Sequence, residues 1–234
     1  MRKILSVALL ALLTLGVAQA QTADEIVTKY LNSIGGAAKW KALTSTKSTI
    51  TLNQSGFDIP GYIVADSKNR ERFQLEFQGM KMIQAFDGTT AWGMNGFQGQ
   101  TAPAKLEGDQ ALAASDVEFL DEFIDYKKRG YSVELEGEKD LEGTACYALK
   151  LIKKEGDESI HYFDKESGLK IGELQTNQGQ ESLSLFSDYT ETEGLKVPSK
   201  ISQKMGGVLA FTSTINKTEF NLDIPDSEFA FPGN

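Results

Sequence analysis

Arg70-Glu71-Arg72-Phe73-Gln74-Leu75-Glu76-Phe77 reads as a β-strand: Phe73, Leu75 and Phe77 alternate with Arg72, Gln74 and Glu76. An extended chain with that period has one apolar face and one wet face, because successive side chains point to opposite sides. The pattern continues on both sides of this stretch. Residues 46–53 and 58–65 before it, and 80–86 and 89–94 after it, also read as strands. Between them stand turn signals: Asp66-Ser67-Lys68-Asn69, Gln78-Gly79 and Asp87-Gly88.

Beyond this meander, 96–108 reads as a loop and 109–128 as a helix, with Leu112, Val117, Phe119, Leu120, Phe123 and Ile124 as its apolar positions. Seven more strands follow, over 131–140, 145–153, 158–164, 170–176, 181–190, 195–204 and 208–220. A helix precedes the first strand. Thr22 is its N-cap, Glu25 the capping-box partner and Gly35-Gly36 its end, while Ile26, Tyr30, Leu31 and Ile34 share one face. A short turn over 37–43 carries Trp40.

The reading is therefore mainly β (α+β), with about twelve strands and helices at only two places. No shift of composition marks a linker, so 21–234 is expected to be a single domain. A sheet of that size must curl, split or close to protect its edges. A two-sheet sandwich leaves the helices without a use. An open, strongly curved antiparallel sheet takes them into its concave side, with the Ile26/Tyr30 and Phe119/Phe123 faces pointing into the bowl.

Residues 1–20 read as a secretory signal peptide. Arg2 and Lys3 precede an apolar run from Ile4 to Val17, and Ala18-Gln19-Ala20 ends in small residues at the positions a signal peptidase inspects. Cleavage is expected after Ala20, with no cysteine nearby to accept a lipid, which places the protein in the periplasm, unanchored. Removing two cations takes the net charge from -9 to 22 minus 33, or -11. Such a surface repels nucleic acid and anionic headgroups. The lone Cys146 has no internal disulfide partner and sits in an apolar stretch, as a buried thiol would.

A search for chemistry finds little. His161 is the only histidine, so a two-histidine metal site and HExxH are both ruled out, and no metal or cofactor is expected. No GxSxG, phosphate-cradling loop or dinucleotide fingerprint is present. Carboxylates are many, but no pair stands apart as a glycosidase would need. Trp92-Gly93-Met94-Asn95-Gly96-Phe97-Gln98-Gly99 sets large apolar residues among three glycines. It reads either as an adaptable binding lip formed by Met94 and Phe97, or as a tight bend with Trp92 in the core.

Several motifs, taken in order, resemble the outer-membrane lipoprotein-sorting proteins of Bacteroidota-type bacteria, within the LolA/LolB-like periplasmic carrier superfamily. They are Ala23-Asp24-Glu25-Ile26-Val27, Ile34-Gly35-Gly36, Lys39-Trp40-Lys41-Ala42-Leu43, Phe86-Asp87-Gly88-Thr89-Thr90-Ala91-Trp92, Tyr162-Phe163-Asp164-Lys165-Glu166-Ser167-Gly168-Leu169, and Asp188-Tyr189 to Gly194-Leu195-Lys196-Val197-Pro198. The resemblance implies a half-barrel whose mouth is covered by helices and whose apolar cavity holds acyl chains of lipoproteins or another lipid. Phe73, Leu75, Phe77, Met82, Phe86 and Trp92 would line it from the sheet, and Phe119 and Phe123 from the covering helix, with Met94 and Phe97 at the lip. Arg70 and Arg72 lie where the superfamily keeps an arginine beneath its lid, and are the lid-closing candidates. The protein would be a monomeric, non-enzymatic carrier that exchanges cargo with membrane-bound donor and acceptor proteins. The competing reading is a scaffold whose curved sheet recognises a protein partner, with its interior filled by side chains; a third, a hydrolase, needs two carboxylates facing each other in a cleft.

Overall fold

A computed structural model describes residues 21–177 and 179–233, so the expected export signal over 1–20 lies outside the described residues. Helix α1 (Ala23–Ser33) starts as its sequence requires: Thr22 Oγ1 accepts from the Glu25 amide, and the Glu25 carboxylate accepts from the Thr22 amide at 2.8 Å. It ends at Gly35, whose φ of 103° suits only glycine and whose backbone lies against Gly194. A short helix, α2 (Ala37–Lys41), follows.

The strands are β1 (Ser45–Gln54), β2 (Phe57–Asp66), β3 (Arg70–Phe77), β4 (Met80–Phe86), β5 (Ala91–Asn95), β6 (Ala104–Lys105), β7 (Ser132–Leu141), β8 (Thr144–Ile152), β9 (Glu158–Asp164), β10 (Lys170–Asn177), β11 (Gln180–Thr192), β12 (Leu195–Met205) and β13 (Val208–Phe220). They form one antiparallel sheet in the order β6-β5-β4-β3-β2-β1-β13-β12-β11-β10-β9-β8-β7. Two meanders are thus joined at the centre, where β1 pairs with β13. The sheet is open: β6 forms one edge and β7 the other.

Twelve of these strands match the alternation in the sequence. The thirteenth, β6, falls inside the expected loop over 96–108 and pairs only with Trp92 and Gly93; two residues are too few to show a period. The expected helix over 109–128 is corrected. Helix α3 spans only Gly108–Ser115, and residues 116–130 continue as bends and turns. It ends where Asp116, at ψ 57°, leaves the helical region. Two features keep the chain from resuming it: the Asp121 carboxylate accepts from the Phe123 amide, a local bond that competes with the helical ladder, and Asp125 takes a left-handed φ of 53°. Phe119 and Phe123 therefore come from a covering segment of irregular backbone, and Leu112 of α3 is exposed.

One cavity establishes which face of the sheet is concave. Glu71 and Gln84 of β3 and β4 line the same cavity of about 350 Å³ as Lys170 and Gln175 of β10. Five strands separate β3 from β10 in the sheet. Laid flat, at about 4.8 Å per strand, these side chains would be nearly 30 Å apart, so the sheet curls around the cavity as a half-barrel.

The concave face carries three apolar groups in sequence. At the β8–β9 end, Leu149, Leu151 and Phe163 are sealed beneath Ile26, Val27, Tyr30 and Ile34 of α1 and Phe123 and Tyr126 of the covering segment. Phe123 packs edge-on against Phe163, with ring centres 5.3 Å apart, and Tyr30 lies 5.1 Å from Phe163. In the middle, Leu43, Leu195 and Phe220 gather with Trp40 and Phe119. At the other end Ile50, Leu52 and Leu75 form a third group with partners from strands alone.

Candidate functional site

The third group is the floor of the bowl. Direct cross-strand pairs share a face, so the register assigns its members. Phe73, Leu75 and Phe77 stand opposite Gln84, Met82 and Met80, and Phe73 and Leu75 stand opposite Ile63 and Gly61. Ile50 stands opposite both Gly61 and Ile215. Leu75 leans across Gly61, where an added Cβ would collide with the leucine and with the carbonyl oxygen of Gln74. The floor is thus smooth at its centre. Ile59, Ile63, Phe73, Met82, Phe211 and Ile215 are only partly buried, because neither α1 nor the 116–130 segment reaches them.

The floor runs out to an exposed end. The β1–β2, β3–β4 and β12–β13 hairpins turn at the same end of the sheet, beside the turn that follows β5. There stand Phe57, Met80, Phe97, Met205, Val208 and Leu209, each exposed. The β12–β13 tip is the most open, with Val208 at 71% exposure. From Met205 to Asn216 the chain carries no charged residue.

The cavity under the covering segment is polar. Its lining includes Glu71, Gln84, Asp116, Glu118, Glu122, Lys153, Lys170 and Gln175. At its base the buried Lys170 ammonium lies 3.2 Å from Glu122 Oε1, 3.4 Å from Asp121 Oδ2 and 3.9 Å from Glu173 Oε2. Tyr30 donates to Asp121 Oδ2 at 2.7 Å, and Tyr189 donates to the Lys170 carbonyl. Burial opposes the Lys170 charge, but Asp121, Tyr30, Glu122 and Glu173 outweigh it and hold its pKa well above the ordinary amine range. One ammonium cannot satisfy three carboxylates. Burial pushes Glu122 up to about 7 despite Lys170, with Glu173 and Asp121 adding to the rise, and burial also raises Glu71 across the cavity. The buried His161 is held well below the ordinary imidazole range by desolvation, then by Lys170 and Lys153, so it is neutral.

The convex side of β2–β5 is closed by the C-terminal segment. The indole of Trp92 donates to the Phe229 carbonyl at 2.7 Å and packs against Phe231. Arg70 bonds Asp66 Oδ2 at 2.6 Å and Asp226 Oδ1 at 2.7 Å, with its guanidinium 4.5 Å over the Phe229 ring. Arg72 donates to the Glu228 carbonyl and lies over Trp92. Tyr62 donates to Glu228 at 2.7 Å.

The structure thus divides the residues singled out in the sequence. Phe73, Leu75, Phe77, Met82 and Phe86 share the concave face. Trp92 stands opposite Ala85, and Met94 opposite Ile83, so both belong to the convex face; Trp92 is fully buried there. Arg70 and Arg72 are on that face too, where they clasp the C-terminal segment and not the covering segment over the bowl. Phe123 is sealed under the cover, Phe119 joins the central group, and Phe97 is at the exposed end. A cavity of about 630 Å³ beside β5 and α3 is lined by Met82, Met94, Leu106 and Gln110. Sequence reading missed Ile59, Ile63, Phe211 and Ile215. The first two carry the period-2 signal of β2, but only the β1–β13 pairing brings the last two to the same surface.

No protein-family model matches the chain, and neither does any curated protein. Solved structures do match. A DUF1329 family protein from Desulfovibrio piger aligns over 90% of this chain and 98% of its own, with TM-score 0.59 and 13% identity. A LolA superfamily protein from Nitrosomonas europaea gives the same values. A Vibrio parahaemolyticus domain described as an outer membrane lipoprotein-sorting protein aligns over 87% of this chain and 97% of its own, at TM-score 0.57 and 9% identity. The fold is therefore LolA/LolB-like. Among the described residues, no helix is long and apolar enough to cross a membrane.

Proposed function

We propose that this protein is an exported periplasmic carrier or chaperone that holds the acyl chains of lipoproteins or of another lipid on the concave floor. The observation that carries the reading is the floor itself. Ile59, Ile63, Phe73, Met82, Phe211 and Ile215 form a half-buried apolar surface continuous with the exposed tips at Met80, Val208 and Leu209. Hiding an acyl chain there is worth about 0.8 kcal/mol per methylene. A chain of ordinary length therefore needs no other attraction, and release needs a partner or a movement that offsets the gain. Met80, Met82 and Met205 add side chains that adapt to irregular cargo.

In this reading the exposed end is the entrance, and membrane-bound donor and acceptor proteins meet the carrier there. The likeness in fold to a lipoprotein-sorting domain supports the carrier class. Phe73, Leu75, Phe77, Met82 and Phe86 are the proposed contacts. Native mass spectrometry of the purified protein should reveal bound lipid, and an acyl-chain dye should brighten on the stripped protein. Met82→Asp together with Phe211→Asp should reduce dye affinity at least about tenfold, since each places a charge against the chain. Repeated preparations free of lipid, with no response from the dye, would reject the reading.

A further inference from the structure

The buried base of the polar cavity has the geometry of a cation site. His161 on β9 stands directly opposite Glu173 on β10, and Glu122 descends from the covering segment onto both. His161 Nδ1 lies 3.2 Å from Glu122 Oε1 and 3.9 Å from Glu173 Oε2, and all three ligand atoms fall within 4.8 Å of one another. A tetrahedral zinc with bonds of about 2.0–2.1 Å sets its ligand atoms roughly 3.3–3.4 Å apart, so a small turn of one carboxylate closes the set.

Two further observations point to a ligand. The first is an orphan. His161 is fully buried, yet its Nδ1 makes no hydrogen bond although two carboxylates face it. Its other nitrogen, Nε2, lies 2.7 Å from Ser159 Oγ. If Ser159 accepts from Nε2–H, the Nδ1 lone pair is aimed into the cluster, the orientation that a supporting hydrogen bond gives to a metal-binding imidazole. A buried polar atom left without a partner is costly, and a cation would satisfy it.

The second is charge. Asp121, Glu122 and Glu173 set three carboxylates against the single ammonium of Lys170. The neighbouring cations do not make up the difference, since Lys153 and Arg129 are matched by Asp116 and Glu118. With all three carboxylates ionised, as metal ligation requires of Glu122 and Glu173, the shortfall is two positive charges, that of one divalent ion. Lys170 can keep Asp121 while the ion takes the inner oxygens of Glu122 and Glu173. Water reaches the remaining position through the cavity that Glu122 lines.

We propose that His161, Glu122 and Glu173 bind one divalent transition-metal ion, zinc foremost, which clasps the covering segment to β9 and β10. One imidazole with two carboxylates suits zinc better than calcium, which prefers six or more oxygens. The site is independent of the carrier reading, because none of its residues belongs to the apolar floor. The test uses the mature protein stripped with a chelator and titrated calorimetrically with zinc chloride. One ion per chain should bind, and at a hundredfold excess over Kd the thermal midpoint should rise by about 5–10 °C. Glu173→Gln and His161→Gln should each weaken binding at least about tenfold and abolish the rise. Cobalt(II) added to the unaltered protein should give the visible absorption of a four-coordinate site, a readout that does not depend on either variant folding. Failure of the unaltered protein to take up zinc or to show the cobalt band would overturn the proposal, and so would binding that survives both substitutions.

Discussion

The two halves of the concave face have the same alternating register and very different fates. Around β8 and β9, Leu149, Leu151 and Phe163 are fully buried because α1 and the covering segment press on them. Around β2–β4 and β13, Ile63, Phe73, Met82 and Phe211 point to the same side and stay half exposed. The alternation in a strand therefore says which residues face inward, and the cover decides which of them become core. The first half is fixed core; the second stays partly open, which is the surface the proposed carrier role would use.

The sharpest way to break this contrast is a pair of truncations. Phe123→Ala removes a ring with no exposure that joins cover to sheet, and should cost about 3–5 kcal/mol in urea unfolding. Phe73→Ala, on the open floor, should cost only about 1 kcal/mol while weakening dye binding. Equal losses would mean that the floor is core after all.

A second test uses pH. Glu122 is raised to about 7 by burial. Its folded pKa lies above its unfolded value, so the stability it confers is complete below about pH 4.5 and is lost as pH rises through 7. In chelator-treated protein, Glu122→Gln should therefore be more stable than the parent at pH 8, by about 2–3 kcal/mol, with the advantage vanishing near pH 4.5. An advantage that does not change with pH would place the carboxyl in water.

The smallest effect belongs to the convex side. Trp92→Phe deletes the donor to the buried Phe229 carbonyl and should cost about 1–2 kcal/mol, with faster proteolysis of the C-terminal segment and no change in dye binding. A loss of dye binding would tie that face to the floor.

Much of this architecture can be read in the sequence. The Arg70–Phe77 alternation, the Thr22/Glu25 capping box and the Gly35-Gly36 stop act locally, and each appears where its residues stand. What escaped reading depends on contacts far apart in the chain. Trp92 and Met94 are one strand position away from the concave face, and a slip of one residue reverses every side chain. Their side was fixed by the pairing Ala85–Trp92, which no property of 89–94 alone discloses. The length of α3 failed for a different reason. Val117, Phe119, Leu120, Phe123 and Ile124 mimic a helical stripe, whereas the chain leaves the helix at Asp116, and the Asp121 turn and left-handed Asp125 that follow become worthwhile only when Phe123 finds Phe163. The His161 cluster escaped for the same reason: its three members come from two neighbouring strands and a crossing segment.

The order of the strands also gives the covering segment a mechanical role. β6 and β7 are consecutive in the chain but lie on opposite edges of the sheet, so residues 106–131 are strung between the limbs of the half-barrel as a string is between the limbs of a bow. The number of residues in that span limits how far the edges can part. It is fastened along the way, by Leu106 to Ala91, by Phe119 to Asn69, by Asp121 to Tyr30 and by Glu122 to Lys170, with a longer interval between the first two ties, where α3 lies, than between the others. A longer or shorter interval around α3 would therefore change how far the β6 edge can part from the β7 edge without altering any strand.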